Sequence, residues 1–488
     1  MNQSSDQHSA GQPPEGSQTD SKSNPLQSCF LSTTDQVREQ RQGSDRHREF
    51  TGKEVQKPFF MRSVMDPNHG IDIDRTCPLE RVVLSLLDCN CVQRLNDIKQ
   101  IGGAVRVFPD ATHYRFGHSI GVGMLTARVL NSIRMHSTDP HVLKQIEEWG
   151  PVVVAFGVLH DIGHVAPGSH IAQKVWFPKE KDAHEEISRR IVKHDGGLRE
   201  VLNSVIGEGA AEKLDSIMSE CPSVPRWTWQ LITAGGWNVD RGDWVGRDSL
   251  MCGVNYGTND QVIIIKGLRI HPTPDGAAGE LVMLERCVGA LKPFFSGRTA
   301  LYENVYGHPV ARIYEMMCVQ VGERARSLYR AGNLSFADDG MQAVLAADAS
   351  VQVPLEHLMN MDESWFRNHL KSWAKEEDVA LRELSCEILN RRSFKQVPLT
   401  DENRELLRKL VRESGREEAF AMMELSEHTI NFERDLNKAP SVMCANGSLV
   451  PLIEYSDTMR KLAELKQIKL EGILAVSLSI CKNLPVRH

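Results

Sequence analysis

Long apolar runs are missing from this 488-residue sequence. Stretches such as Val152 to Leu159 and Val262 to Ile265 stop far short of the ~18 residues that a membrane-spanning helix needs. The first residues, MNQSSDQHSAGQPPEG, show neither the basic start nor the apolar segment of a secretory signal, so the expectation is an intracellular, cytoplasmic protein, with a nuclear location left open. No CxxC pair occurs among the 11 cysteines, which read as reduced and partly buried thiols. Cys89 and Cys91 stand two apart, and a lone CxC supplies too few ligands for a structural zinc site. Positive charge is not in excess either: 57 Lys+Arg against 64 Asp+Glu give −7. A broad field for nucleic acid is thereby excluded, because such affinity rests on phosphate neutralisation; a local basic site is not.

What is present is ordinary soluble composition, 41% hydrophobic and 25% charged, over a length that can bury a large core. Residues 1–57 are rich in Ser, Gln, Asp and Gly without periodicity and read as a disordered tail. The composition changes at Pro58-Phe59-Phe60, and Val64 to Gly70 reads as an extended segment followed by a turn. Apolar spacing predicts helices over 79–95, 121–133, 152–160, 183–194, 198–206, 210–219, 301–328, 363–375, 401–413 and 455–466. Val262-Ile263-Ile264-Ile265 and Leu281 to Leu284, separated by a turn-like Gly276 to Gly279, predict one β-hairpin in a mostly helical chain. The expected division is a catalytic domain at 58–330 and an accessory lobe at 331–488.

Four residues offer good ligands to a divalent metal: His118, the adjacent His160-Asp161 at the end of an apolar helix, and Asp240. Imidazole nitrogen with carboxylate oxygen suits Fe, Zn, Mn or Ni. A lone His-Asp dipeptide is more often a core histidine beside a capping aspartate. Here it has company, because His164, His170 and His184-Glu185 follow within 25 positions. Clustered His with carboxylates is what metal-assisted hydrolysis requires: ligands, an activated water and a general acid.

The sequence resembles the HD-domain phosphohydrolases, and most of all the deoxynucleoside triphosphate (dNTP) triphosphohydrolases. The likeness rests on Asp66 to Gly70, Gln93-Arg94-Leu95, Ile98 to Gly103, Val107 to Pro109, His113 to Val122, Leu159 to His164, Val239 to Asp248 and Tyr306-Gly307-His308, in family order. It implies an HD helical bundle with a small β-hairpin insertion and a mixed α/β C-terminal lobe. It further implies that His118, His160, Asp161 and Asp240 hold the metal, and that His164, His184, Glu185 and Arg115 line the catalytic pocket, with His170 protonating the departing 5′ oxygen. Arg115, Arg241 and Arg298 match residues that hold the triphosphate, a task suited to forked guanidinium groups and accompanied by Mg²⁺. Gln100, Ile101, Asp248 and Tyr306 match the surroundings of the deoxyribose, and Trp244 and His308 complete the substrate-binding set. Trp244 stands where animal members carry Tyr, and Gly117 where they carry an acid. An allosteric site for GTP or dGTP would use Arg62, Asp88, Gln93 and Arg94, and a homo-oligomer, dimer or tetramer, would accompany it.

The expected reaction is hydrolysis of a dNTP to deoxynucleoside and inorganic triphosphate. Metal ligands alone leave two other classes open: a phosphohydrolase acting on a cyclic dinucleotide, alarmone or monophosphate, and a non-catalytic nucleotide sensor or single-strand binder.

Overall fold

The computed structural model describes residues 59–169, 171–272, 279–392, 394–425, 428–430, 436–464, 468–470, 472–477 and 480. The expected N-terminal tail, His170 and the Gly276 to Ala278 part of the hairpin turn lie outside the described residues. Lys57–His488 is one compact unit.

The fold is mostly α. A short antiparallel pair, β1 (Phe59–Ser63) and β2 (Asp66–Ile73), precedes α1 (Pro78–Leu86). Then come the two long central helices, α2 (Arg115–His136) and α3 (Pro140–Leu159). Pro140 in the first turn and Asp139, whose side chain accepts from His141 N–H, start α3 where the backbone donors need a partner. Val152 to Leu159 is buried on every side, so this run carries no amphipathic signal; it is a central helix. The pair cross closely because glycine faces the partner on both helices. A Cβ at Gly123 would collide with Val158, and one at Gly157 would lie 2.7 Å from Thr126 Oγ1. α4 (Ala183–His194) and α5 (Val239–Met251) pack around this centre, with Asn238 accepting from Arg241 N–H as the N-cap of α5. α6 (Pro309–Arg330) and α7 (Glu363–Trp373) follow.

Several elements differ from expectation. The helix expected over 79–95 ends at Leu86, with short turns over Asn90–Gln93 and Arg94–Asp97 after it, and the one expected over 455–466 starts at Asp457. Val262–Ile265 is not the first hairpin strand but part of a helix, Gln261–Gly267, because Asp260 caps its N-terminus by accepting from Ile263 N–H; Ile264 is buried while Val262 and Ile263 are exposed. The hairpin begins afterwards, as β3 (Leu268–Pro272) paired with β4 (Gly279–Leu284). The single helix expected over 301–328 is interrupted. A helix ends at Leu301, a π turn runs through Tyr302–Tyr306, and α6 restarts at Pro309, which lacks the N–H a continuous helix would use.

Beyond α7 come β5 (Lys395–Pro398), β6 (Met422–Leu425), β7 (His428–Ile430), β8 (Ser441–Met443), β9 (Leu449–Val450), β10 (Ile468–Leu470) and β11 (Ile473–Val476). They form a sheet of order β5-β11-β6, a pair β10-β7, and a four-stranded sheet β3-β4-β8-β9. In the last, β8 runs parallel to β4, so the hairpin and the C-terminal region share one sheet. The apolar core likewise crosses residue 330, with Met341, Leu370, Trp373 and Leu384 in the same cluster as Val122 and Val158.

Candidate metal centre

His118 sits on the first turns of α2, His160 and Asp161 directly follow α3, and Asp240 lies in the first turn of α5. The crossing of α2 and α3 brings these together. His118 Nε2 is 3.1 Å from Asp240 Oδ1 and 3.8 Å from Asp161 Oδ2; His160 Nε2 is 3.5 Å from Asp161 Oδ1 and 3.6 Å from Asp240 Oδ1. Each imidazole is oriented through its other nitrogen. His118 Nδ1 pairs with Asp243 Oδ1 at 2.8 Å, and His160 Nδ1 lies 2.9 Å from Gly157 O. Such partners fix the tautomer with Nδ1 protonated and aim an Nε2 lone pair inward. His160 Nε2 is buried and has no hydrogen-bond partner among the described residues.

The electrostatics favour a cation at the point where these atoms meet. Burial alone would keep His118 neutral, yet its hydrogen bonds to Asp240 and Asp243 outweigh this and raise it to about 10. Burial would likewise raise Asp240, but the hydrogen bond from His118 and the His160 imidazole beside it hold it well below the carboxylate range. His118, His160 and Asp161 lie close enough together to share one ion, with Asp240 beside both imidazoles, and imidazole with carboxylate fits Fe, Zn, Mn or Ni without selecting among them.

Two residues absent from the expected set hold His118 in place. Asp243 is gripped by Arg247 through a two-point contact of 2.7 and 2.9 Å. Glycines on α2 make room for the pair: a Cβ at Gly121 would collide with Asp243 Oδ2, and one at Gly117 would stand 3.2 Å from Arg247 Nη1. The i, i+4 spacing of Asp243 and Arg247 on one helix was the available signal.

A second group shares Asp161. His164 and His184 stack at 4.1 Å with rings 14° apart, and His164 Nε2 is 3.4 Å from Asp161 Oδ1. His164 Nδ1 lies 3.1 Å from Gln173 Oε1, a further partner that sequence reading missed. The Arg115 guanidinium is 2.5 Å from Asp161 Oδ2. Burial, then Arg115's charge, pushes His164 well below its ordinary value; burial pushes His184 down to about 4 despite Asp161. Both rings are therefore neutral at pH 7 and suit proton handling. The adjoining Glu185 is exposed.

From Arg115 a hydrogen-bonded run leads away from the metal group. Arg115 Nη2 is 3.5 Å from Gln100 O, Gln100 N–H donates to His113 O, and His113 Nε2 is 2.7 Å from Asp248 Oδ1. Tyr306 Oη donates to Asp248 Oδ2 at 2.6 Å, and burial with Asp248's charge keeps that phenol protonated. Gln100 Oε1 is buried without a hydrogen-bond partner among the described residues. Ile101 is half-buried beside it in sequence. Trp244, Tyr302 and Tyr306 meet edge to face, Trp244 to Tyr306 at 5.9 Å and Tyr302 to Tyr306 at 5.3 Å. Arg298, almost wholly buried, lies over the Tyr302 ring at 5.3 Å. Arg241 donates to Ala234 O and Gly236 O, and His308 caps α6 through Nδ1.

The residues expected at an allosteric site are dispersed in role. Arg62 is exposed over Phe60, Asp88 is exposed, and Gln93 donates to Leu87 O. Arg94 departs from expectation. Its five N–H groups all reach backbone carbonyls: Met359, Ile162, His164, Leu358 and Met361. That makes it a structural brace with no donor left for a nucleotide. The Cys89 and Cys91 thiols are buried, and burial pushes Cys89 up to about 11, so neither offers a thiolate at neutral pH.

Residues 115–237 match the HD domain family model, a span that holds His118, His160, Asp161, His164 and His184 and stops three positions before Asp240. Among curated proteins, the chain is 28% identical over 326 residues to the uncharacterized protein YwfO of Bacillus subtilis, covering 65% of this chain and 68% of that one. It is 28% identical over 294 residues to the deoxynucleoside triphosphate triphosphohydrolase SAMHD1 of Xenopus laevis, covering 53% and 45%, and 27% identical over 284 residues to that of Homo sapiens, covering 53% and 43%. The chain thus spans less than half the length of these vertebrate relatives. The crystal structure of a phosphohydrolase from Bacteroides thetaiotaomicron shares the fold, with a TM-score of 0.67 at 24% identity over 86% of this chain and all of that one. Residues 115–237 of this chain carry an HD domain, and the chain is similar in sequence to vertebrate deoxynucleoside triphosphate triphosphohydrolases over about half of its length.

Proposed function

We propose that the protein hydrolyses deoxynucleoside triphosphates to deoxynucleoside and inorganic triphosphate. The observation that carries this is the continuous run from Asp161 through Arg115 and Gln100 to His113, Asp248 and Tyr306, which sets a hydrogen-bonding sugar platform beside the metal group. A divalent ion bound by His118, His160, Asp161 and Asp240 would lower the pKa of a coordinated water and draw charge from a phosphoryl oxygen. Arg115 keeps Asp161 ionised and adds positive charge where phosphate oxygens would lie. Arg298, rigid over Tyr302, and Arg241 supply further charge for the triphosphate, with Mg²⁺ accompanying the nucleotide. The neutral His164 and His184 rings accept and pass on a proton, and His170 is assigned the delivery of one to the leaving 5′ oxygen. Gln100 Oε1 is an acceptor to spare for a 3′-OH, and Asp248, held by His113 and Tyr306, is a second acceptor in the same run.

The proposal extends to activation by GTP or dGTP, with Arg62, Asp88 and Gln93 as the residues for it, and to assembly as a dimer or tetramer. No described helix is long and apolar enough to cross a membrane. The test is incubation of metal-loaded protein with each dNTP and its ribonucleotide counterpart, with and without GTP, followed by product separation. Deoxynucleoside plus triphosphate is expected, with ribonucleotides turned over far more slowly. Monophosphate plus pyrophosphate, or turnover of cyclic dinucleotides or alarmones alone, would replace this reading.

A further inference from the structure

A cavity of about 250 Å³ opens against residues 99–106 and 167–169, and none of its lining residues belongs to the metal or catalytic set above. Three cations line it, Lys99, Arg106 and Arg367, and none of them ion-pairs with a carboxylate among the described residues. That is an unusual concentration in a protein of net charge −7. Arg106 is held in position, donating to Ile388 O at 2.9 Å and lying 5.1 Å over the Tyr314 ring. Two carboxylates also line the cavity, each engaged by a donor. Burial pushes Glu315, which accepts from Ser169 Oγ at 2.7 Å, up to about 7, and it raises Glu363, whose Oε1 is already occupied by Gly168 N–H. The remaining wall is apolar, with Phe366 and Leu370 beside Tyr314.

Concave, partly apolar space with a few fixed polar groups is the usual form of a small-molecule site. The volume lies just under the ~300 Å³ at which drug-sized pockets begin, room for one ring and a charged group. We propose that this cavity is a second small-molecule site, taking a compact organic anion: a single ring that carries a phosphate or a carboxylate. The ring packs on Tyr314 and Phe366, and the acid group meets Lys99, Arg106 and Arg367. Because the cavity wall includes Ser169, the residue before His170, and the Lys99 to Gly103 segment that carries Gln100, an occupant presses on the same loops that build the sugar platform.

Calorimetric titration of the full chain with phenyl phosphate, benzoate, inorganic phosphate and phenol tests this. Saturable binding of phenyl phosphate or benzoate is expected, and the stronger of the two identifies the acid group. Affinity should fall at least tenfold in Arg367→Glu, an exposed position where the fold survives, and persist in His160→Ala, which breaks the metal group. No saturable binding of either aromatic anion, equal binding of inorganic phosphate, or loss in His160→Ala with none in Arg367→Glu would overturn the proposal. Binding is read directly, so failure of the phosphohydrolase reading leaves it standing.

Discussion

Asp243 shows how much of the metal centre lies behind its ligands. Its carboxylate receives His118 Nδ1–H on one side and the Arg247 fork on the other, so the ligand ring cannot rotate without breaking a buried pair. Outer partners of this kind typically contribute 10- to 100-fold to metal affinity. Asp243→Asn should therefore weaken metal binding by about 10- to 100-fold, measured by chelator competition on protein shown to be folded by circular dichroism; an unchanged dissociation constant would sink the positioning role. The proposed ligands drew attention in the sequence because His160-Asp161 ends an apolar helix, where a charge needs a reason. Asp243, Arg247, His113 and Gln173 were not, because an Asp three residues after Asp240, or a Gln nine after His164, acquires meaning only when a helix crossing brings its partner near. Arg94 misled for the same reason in reverse. A basic residue in a matching motif says nothing about the backbone carbonyls from 160–164 and 358–361 that converge on it.

Among the elements, the docking of α4 on the loop after α3 determines whether His184 reaches His164. Gly163 makes the contact: its N–H donates to Ser188 Oγ at 2.9 Å, and Ser188 Oγ donates to His160 O at 3.1 Å. A Cβ at position 163 would collide with His184 O and Ser188 N, both backbone atoms that cannot swing aside. Gly163→Ala should then cost about 1–3 kcal/mol of overpacking and separate the stacked histidines, seen as a lowered denaturant midpoint together with a more than tenfold loss of turnover. A wild-type midpoint would show that α4 shifts freely and that the stack is incidental. Helices such as 183–194 were legible from apolar spacing alone, since one face is buried and the other wet. Val262-Ile263-Ile264-Ile265 was not, because a short β-branched run is ambiguous until its N-cap, here Asp260, is seen to act. The π turn at Tyr302–Tyr306 left no periodic trace either, although Pro309 marked where a straight helix had to stop.

For the whole molecule, the expected boundary at residue 330 cuts through a shared structure. Residues 358–363 hold the loop that follows α3 from behind. Arg94 links Met359, Leu358 and Met361 carbonyls to those of Ile162 and His164, Met361 O also accepts from Ala166 N–H, and Glu363 Oε1 accepts from Gly168 N–H at 2.7 Å and Lys99 N–H at 3.4 Å. The loop from His164 to Ser169 is thereby clamped between the HD helices and a segment almost two hundred residues later. Replacing Arg94 by Ala removes its donors from five carbonyls; Met361 O keeps Ala166 N–H and Leu358 O keeps Met361 N–H, so three are left without another donor among the described residues, and at about 1–3 kcal/mol for each buried unsatisfied group the loss is about 3 kcal/mol or more. Arg94→Ala should lower the unfolding midpoint and the metal occupancy together, whether or not GTP is present. An allosteric arginine behaves differently: its loss would abolish a response to GTP while leaving the stability of the nucleotide-free protein unchanged. Chemical denaturation and metal analysis of the one variant, with and without GTP, therefore separate a brace from a nucleotide contact, and the five backbone carbonyls around this guanidinium place the expected outcome with the brace.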